Sequence, residues 1–490
     1  MRKPMAKKVL AATMAAAMTM SFAACADKTP ATTSEPSSTP ATVEPASTSE
    51  EDPGLGKYTV LRDKDGNVYD LGGAEIVIRD WFAPAEVGEA KTEYEEEQRA
   101  YQEWAQETYN FKVTNVAIGD WGTVAQDFVD YCTAGNDDTN YVFCMPNGFM
   151  GTLISAIDQD LVYDLATLDC LDFNDTKFTL NHLHDLFTFG DSVYAMHAGM
   201  VEPRTGMYFN KRLLEEAGID PMAPYDMQAN GTWTWEAFED MLKTVQQDTD
   251  NDGTVDIWGI TLNEGVMVTA AVFSNGGKFI GKDNGKYTYN FDDAETVQAL
   301  EWVKNIFDTY DWNGPNDEEG NPPSWDYYQQ QFKAGQAAFL CDQQYCATPG
   351  NLFADMDDEL GFVMFPAGPK GSLTHCAEDN IYCIPSFYDA DRAWKCAFAY
   401  NLYYDLVPGY EDYNPYINTT LTGNFDPRTA ETVELMAKGY DLNYVGTIPA
   451  ANQDFGPQFS YSFYPGMATI SEILDGCRTL FQTYVDEANQ

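Results

Sequence analysis

Basic residues are scarce in this chain. Its 490 residues include 28 Lys and Arg against 77 Asp and Glu, a formal net charge of −49. A polyanion is repelled by such a surface, which excludes nucleic acid as a partner. An anionic bilayer repels the folded body too, so any membrane attachment needs a dedicated anchor. Histidine is rarer still, at four residues: His182 and His184 flank a position beside Asp185 and suit a loop surface better than a metal site, while His197 and His375 are isolated. The ten cysteines contain no CxxC pair, which removes zinc ribbons and thioredoxin-like redox motifs. There is no GxSxG, no HExxH, no phosphate loop and no GxGxxG after a strand, so triad hydrolysis and nucleotide cofactors lack a motif. With 77 acids, carboxylate pairs arise by chance, and none is a usable glycosidase signal.

What is present begins with a leader. Residues 1–24 combine a basic start (Arg2, Lys3, Lys7, Lys8) with the apolar run VLAATMAAAMTMSF. The run is too short to span a bilayer as a stable helix and reads as a signal peptide. Ala23 and Ala24 directly before Cys25 resemble a bacterial lipoprotein cleavage box, with Phe22 where an aliphatic is usual. Lipidation of Cys25 is the expectation, and ordinary cleavage after Ala26 is the alternative. Residues 25–56 are Thr, Ser, Pro, Ala and Glu with hardly an aliphatic; they cannot bury enough surface to offset their ordering entropy and are expected to be a disordered linker. About 30 flexible residues have an end-to-end distance on the order of 30 Å, enough to hold a body just off a membrane.

From Lys57 onward short apolar strands alternate with longer helical segments, the pattern of α/β layers, and the length exceeds what one simple core accommodates. The stretch that orders the rest is Tyr208 to Val245. Asn210 caps a first helix, Gly218 sits where a left-handed residue ends it, and Pro221 forbids continuation. Thr234 caps a second helix along which Trp235, Phe238, Met241, Leu242 and Val245 recur at a spacing near 3.6. Thr205 to Phe209 before them is strand-like, giving strand, helix, turn, helix, with Trp233 and Trp235 expected in the core.

The pattern YFNKxLLEEAGIDP followed by TWxWEAFEDM resembles the extracellular solute-binding proteins of sugar ABC importers, the maltose-binding-protein-like group known as extracellular solute-binding protein family 1. DSVYAMHAG, FSNGGKFI, FKAGQAAFL and FPAGPKG agree and keep the family's order. The resemblance implies a two-lobed α/β fold of the type II periplasmic-binding-protein class, with a ligand cleft between lobes and hinge crossings. It places lobe 1 at residues 57–198 plus 343–384 and lobe 2 at 199–342 plus 385–490. Crossings are expected near Ala198–Glu202, Cys341–Tyr345 and Cys383–Phe387. It further implies a non-enzymatic, monomeric lipoprotein on the outer face of the cytoplasmic membrane, held there only by its lipid anchor, which delivers a carbohydrate to permease subunits. An exported carbohydrate-active enzyme and a lectin-like surface glycan-binding protein stay open as alternatives.

Ligands in such a fold are gripped by loops leaving strand ends. Aromatic residues make up 14% of the chain, and a flat ring suits the apolar face of a pyranose while carboxylates and amides bond its hydroxyls. The candidate ligand residues are therefore Asp80 and Trp81, Asn147, Glu202 and Arg204, Glu264, Tyr345 and Tyr464. Tyr345 and Tyr464 match positions where the family commonly places a stacking aromatic, often Trp. Trp81 and Tyr345 are expected to face each other across the cleft. No cofactor is required, but DTDNDGTVD sets Asp248, Asp250, Asp252, Thr254 and Asp256 at the spacing of a calcium loop, with Gly253 at its sharp turn. Gly259 stands where a full EF-hand has its bidentate Glu, so Ca²⁺ binding and a solvated turn both remain open, and the role of any ion would be structural.

Overall fold

A computed structural model describes residues 57–82, 89–135, 138–314 and 323–490. The leader, Cys25 and the linker lie outside these residues. Two four-stranded sheets organise the body, and we number only their strands. The first contains β1 (Ala74–Asp80), β2 (Phe111–Ala117), β3 (Asn140–Met145) and, from far down the chain, β8 (Ile381–Cys383), in the order β8-β3-β1-β2. β1 is parallel to β2 and β3, and β8 runs antiparallel to β3. The second contains β4 (Thr205–Asn210), β5 (Trp258–Leu262), β6 (Ala337–Gln343) and β7 (Leu360–Val363), in the order β7-β4-β6-β5. Here β6 is parallel to β5 but antiparallel to β4, which is antiparallel to β7 as well.

Every residue of β4 is buried, as a strand covered on both faces requires. Side chains alternate across it: Met207 and Phe209 enter one cluster with Phe238, Leu242, Ile260 and Phe339, and Tyr208 enters another with Leu340, Phe353 and Phe362. Gly361 on β7 permits the close approach, since a Cβ there would lie 1.9 Å from Phe209 Cζ. The first sheet is covered in the same way, with Ile76, Ile78 and Val142 packed against Ala397 and Tyr400, and Phe143 and Met145 against Phe128 and Leu153.

The organising stretch forms as its local chemistry dictates. Asn210 Oδ1 accepts the Leu213 N–H at 3.2 Å, Thr234 Oγ1 accepts the Ala237 N–H at 3.4 Å, and Gly218 has φ +79°. Trp233 and Trp235 are buried in the core. The link between the two helices (Lys211–Glu216 and Trp235–Val245) holds a third, Ala223–Ala229, that the spacing did not reveal. Pro224 occupies its first turn, where a missing N–H costs nothing.

The expected division of the chain is corrected in its second half. β7, in the segment assigned to lobe 1, hydrogen-bonds to β4 of the second sheet, and β6 stays in that sheet through Gln343, so Cys341–Tyr345 is no crossing. The helix Ala390–Tyr403, in the segment assigned to lobe 2, packs on the first sheet with Ile76, Val142 and Ile384, so the chain does not leave that sheet at Cys383–Phe387. The chain passes to the second sheet just before β4, returns between β7 and β8, and departs again after Tyr403 to the helix Thr429–Met436 beside β7.

Candidate functional site

Strand direction brings the site together. The carboxyl ends of parallel β1, β2 and β3 lie at one edge of the first sheet, and because β8 is antiparallel to β3 its amino end lies there too. Trp81 and Phe82 leave β1 at this edge, Trp121 follows β2, Asn147 follows β3, and Glu378 and Asn380 lead into β8. The second sheet offers the matching edge: Gln343 ends β6 and Tyr345 follows it, while Glu202 and Arg204 enter antiparallel β4. These residues line one cavity of about 700 Å³, which has the size and mixed character of a small-molecule site.

One wall is aromatic. The Trp81 ring lies 4.9 Å from Phe82 and 5.1 Å from Trp121, both edge-on, and Trp121 lies 5.3 Å from Phe149. Phe82, Trp121 and, opposite them, Tyr345 are 41%, 46% and 38% exposed, open ring faces of a size that folding would otherwise bury. The other wall is ionic. Arg204 Nη2 sits 2.5 Å from Glu202 Oε2, its Nε donates to the Glu378 carbonyl at 3.2 Å, and its guanidinium lies 5.4 Å from the Tyr345 ring centre. Burial, reinforced by the Asp379 charge, pushes the Glu202 carboxyl up to about 7 against the pull of Arg204. Burial also raises the Glu378 carboxyl, while Arg204 opposes. The guanidinium is drawn down by burial, but the surrounding Glu202, Asp379 and Glu378 charges more than offset this and hold it fully protonated. Asn147 Nδ2 reaches Glu378 Oε2 at 3.4 Å. Asn147, Gln343 and Glu378 also line an adjoining chamber of about 500 Å³ with Asn263, Asn443 and Asn452.

Of the eight ligand residues expected from sequence, Trp81, Asn147, Glu202, Arg204 and Tyr345 meet in this cavity. Trp81 and Tyr345 come from opposite sheets. Asp80 does not line it: the residue is buried, Oδ1 accepts the Trp81 N–H at 2.7 Å and Oδ2 accepts from Asn115 Nδ2 at 3.4 Å, so it holds the turn that carries Trp81. Glu264 and Tyr464 lie apart as a pair, the tyrosine hydroxyl donating to Glu264 Oε2 at 2.7 Å, and neither lines the cavity. Sequence reasoning missed Phe82, Trp121, Gln343, Asn351, Glu378 and Asn380. The strand-end rule that found Trp81 would have found Phe82, Trp121 and Gln343; Glu378 and Asn380 depend on the direction of β8, which no local signal carries.

In the acidic loop, carboxylate oxygens of Asp248, Asp250 and Asp256 come within 4.8 Å of one another. Asp252 is turned away from the set, its Oδ1 accepting the Thr254 N–H at 2.7 Å. Among the described residues all nine cysteines are free thiols, and no helix is long and apolar enough to cross a membrane.

The comparisons agree with this geometry. A sequence model of the bacterial extracellular solute-binding proteins matches residues 90–380. Among solved structures, a cyclic α-maltosyl-1,6-maltose binding protein from Arthrobacter globiformis superposes with a TM-score of 0.59 at 15% identity, covering 85% of this chain and 100% of that one. The maltose-binding periplasmic protein of Listeria monocytogenes, in complex with maltose, gives 0.55 at 15%, covering 85% and 98%. An ABC substrate-binding protein from the same organism, in complex with cycloalternan, gives 0.52 at 18%, also covering 85% and 98%. No curated protein sequence matches. The likeness to these structures fixes the fold as two-lobed and of the type II binding-protein class, and the match over residues 90–380 makes the chain a member of the bacterial extracellular solute-binding protein family.

Proposed function

We propose that the protein is the carbohydrate receptor of an ABC importer, tethered outside the cell by lipidated Cys25, and that it captures an oligosaccharide between its two lobes and hands it to a membrane permease without chemical change. The observation that carries this is the cavity itself, in which open rings from both sheets face a paired Arg204 and Glu202. Rings take the apolar faces of pyranoses, and the ion pair with Asn147, Gln343 and Glu378 supplies donors and acceptors for hydroxyls. The adjoining amide-lined chamber gives room for more than one sugar ring. Two related structures, one with maltose and one with cycloalternan bound, support the same class of ligand. The lobes are the two sheet-centred bodies, and closure is rotation about the strands that join them.

Thermal-shift screening of a glycan panel, with calorimetry on each hit and chromatography of the recovered sugar, tests the proposal. Micromolar binding of an intact oligosaccharide is the expected result. Release of shortened or hydrolysed sugar would instead make the protein an enzyme. The three clustered aspartates in the loop after the helix Trp235–Val245 hold, on the same proposal, a structural Ca²⁺ ion.

A further inference from the structure

A second cavity, of about 410 Å³, lies against the segments that join the two sheets. Side chains alternate along the extended segment that leads into β8: Glu378 and Asn380 line the ligand cleft, and Asp379 between them lines this cavity. Ala198, Gly199 and Met200 of the segment leading to β4 form the same floor. The cavity thus shares its floor with the cleft but none of its lining residues.

Its walls are tyrosines. Tyr94, Tyr410 and Tyr413 make one side, with Tyr94 and Tyr413 stacked at 4.4 Å and Tyr94 and Tyr410 edge-on at 5.8 Å. Tyr382, Tyr400 and Tyr404 make the other, at centroid separations of 4.7 to 5.7 Å. Tyr416 adds a seventh ring. The charged lining residues are acidic, namely Glu95, Asp379 and Asp405, and no lysine or arginine lines the cavity. Asp405 is already neutralised from behind by Lys177 at 2.9 Å and takes the Tyr101 hydroxyl at 3.2 Å. Asp379 accepts the N–H groups of Asn380 and Glu202 at 2.7 and 3.2 Å, has the His197 ring at 3.4 Å, and shares its charge with Arg204 on the cleft side. Aromatic faces and carboxylates around a small cavity, with no lysine or arginine in the lining, are the chemistry that binds organic cations. A body of net charge −49 adds to the attraction. The cleft differs in this respect, since Arg204 stands inside it.

We propose that this cavity is a second ligand site, separate from the saccharide cleft, for a small organic cation of the alkylammonium class. The test is calorimetric titration of the full mature protein with choline and with tetramethylammonium, at constant ionic strength. The comparison ligand is 3,3-dimethylbutan-1-ol, the uncharged counterpart of choline in shape. Both cations should bind at millimolar concentration or tighter, and the neutral alcohol at least about tenfold more weakly. Tyr94→Ala and Tyr410→Ala should each weaken choline binding about tenfold, and Trp81→Ala in the cleft should leave it unchanged. Tyr410 lies outside any helix or strand, so its variant stands in if Tyr94→Ala fails to fold. Absence of binding by both cations, equal binding of the alcohol, or persistence of full affinity in both tyrosine variants would overturn the proposal. Loss of choline binding in Trp81→Ala would overturn it as well, by moving the cation to the cleft.

Discussion

Trp121 was not singled out by the sequence, yet at 46% exposure its ring is the most open of the aromatic residues lining the cleft. Removing it should weaken saccharide binding about 10- to 100-fold, the effect of losing roughly 1.4–2.7 kcal/mol of ring contact. The melting temperature of the unliganded protein should hardly move, because an open ring gives the core little packing. Trp233 predicts the opposite. It is 1% exposed and its Nε1 donates to the Met364 carbonyl at 2.7 Å, so Trp233→Ala should cost about 3–5 kcal/mol of stability. Comparing the two variants by denaturant unfolding and calorimetry separates ring-on-ligand from ring-in-core. One buried histidine makes a separable contribution to acid sensitivity. His375 is buried, with Nε2 donating to the Met436 carbonyl at 2.9 Å, and burial lowers its pKa to about 4. A folded-state pKa below the ordinary value of about 6.5 contributes stability that is complete above pH 6.5 and lost as pH falls through 4. The loss at the acid end should approach roughly 3 kcal/mol, and His375→Gln should flatten the stability profile between pH 6.5 and 4. An equally steep fall in the variant would assign the acid sensitivity to other groups.

At the scale of elements, the sequence speaks most clearly where structure is local. The helix Trp235–Val245 forms where Thr234 was expected to cap it, and the strand-like run at Thr205 lies within β4, because a cap, an apolar spacing and a β-rich run are each written in a few adjacent residues. The final helix, Ile470–Ala488, starts at a capping box made by Thr469 and Glu472 for the same reason. Leu360–Val363 and Ile381–Cys383 are different. Each is a short apolar run that suits either sheet, and only the free edges of β4 and β3 decide where it pairs. That long-range choice is why the expected division of the chain failed after residue 343, and why Glu378 and Asn380 were not foreseen. The acidic loop is an element whose behaviour can be measured by itself. If Asp248, Asp250 and Asp256 hold Ca²⁺, millimolar calcium should raise the melting temperature over chelator by mass action on the native state, and Asp250→Ala should remove the increment. Coincident melting curves in chelator and in calcium would leave the loop as a hydrogen-bonded turn.

At the scale of the whole molecule, two sheets present their ligand edges to each other across one cavity. Contacts between the lobes outside the cleft include the helix Pro449–Gln458 against the helix Met150–Ile157, and Lys282 from beside the second sheet, which donates to the Thr188 carbonyl at 2.9 Å with the ring faces of Phe189, Tyr287 and Tyr444 5.1 to 5.7 Å from its ammonium. The central claim is that Trp81 from one sheet and Tyr345 from the other stack on one saccharide. The direct measurement is calorimetric affinity of Trp81→Ala and Tyr345→Ala for the best glycan of the panel, taken with the melting temperature of each unliganded variant. The account predicts about 10- to 100-fold weaker binding in both, with unliganded melting within a few degrees of the parent protein. Unchanged affinity in both variants, with either one strongly destabilised, would place these rings in the core and contradict it.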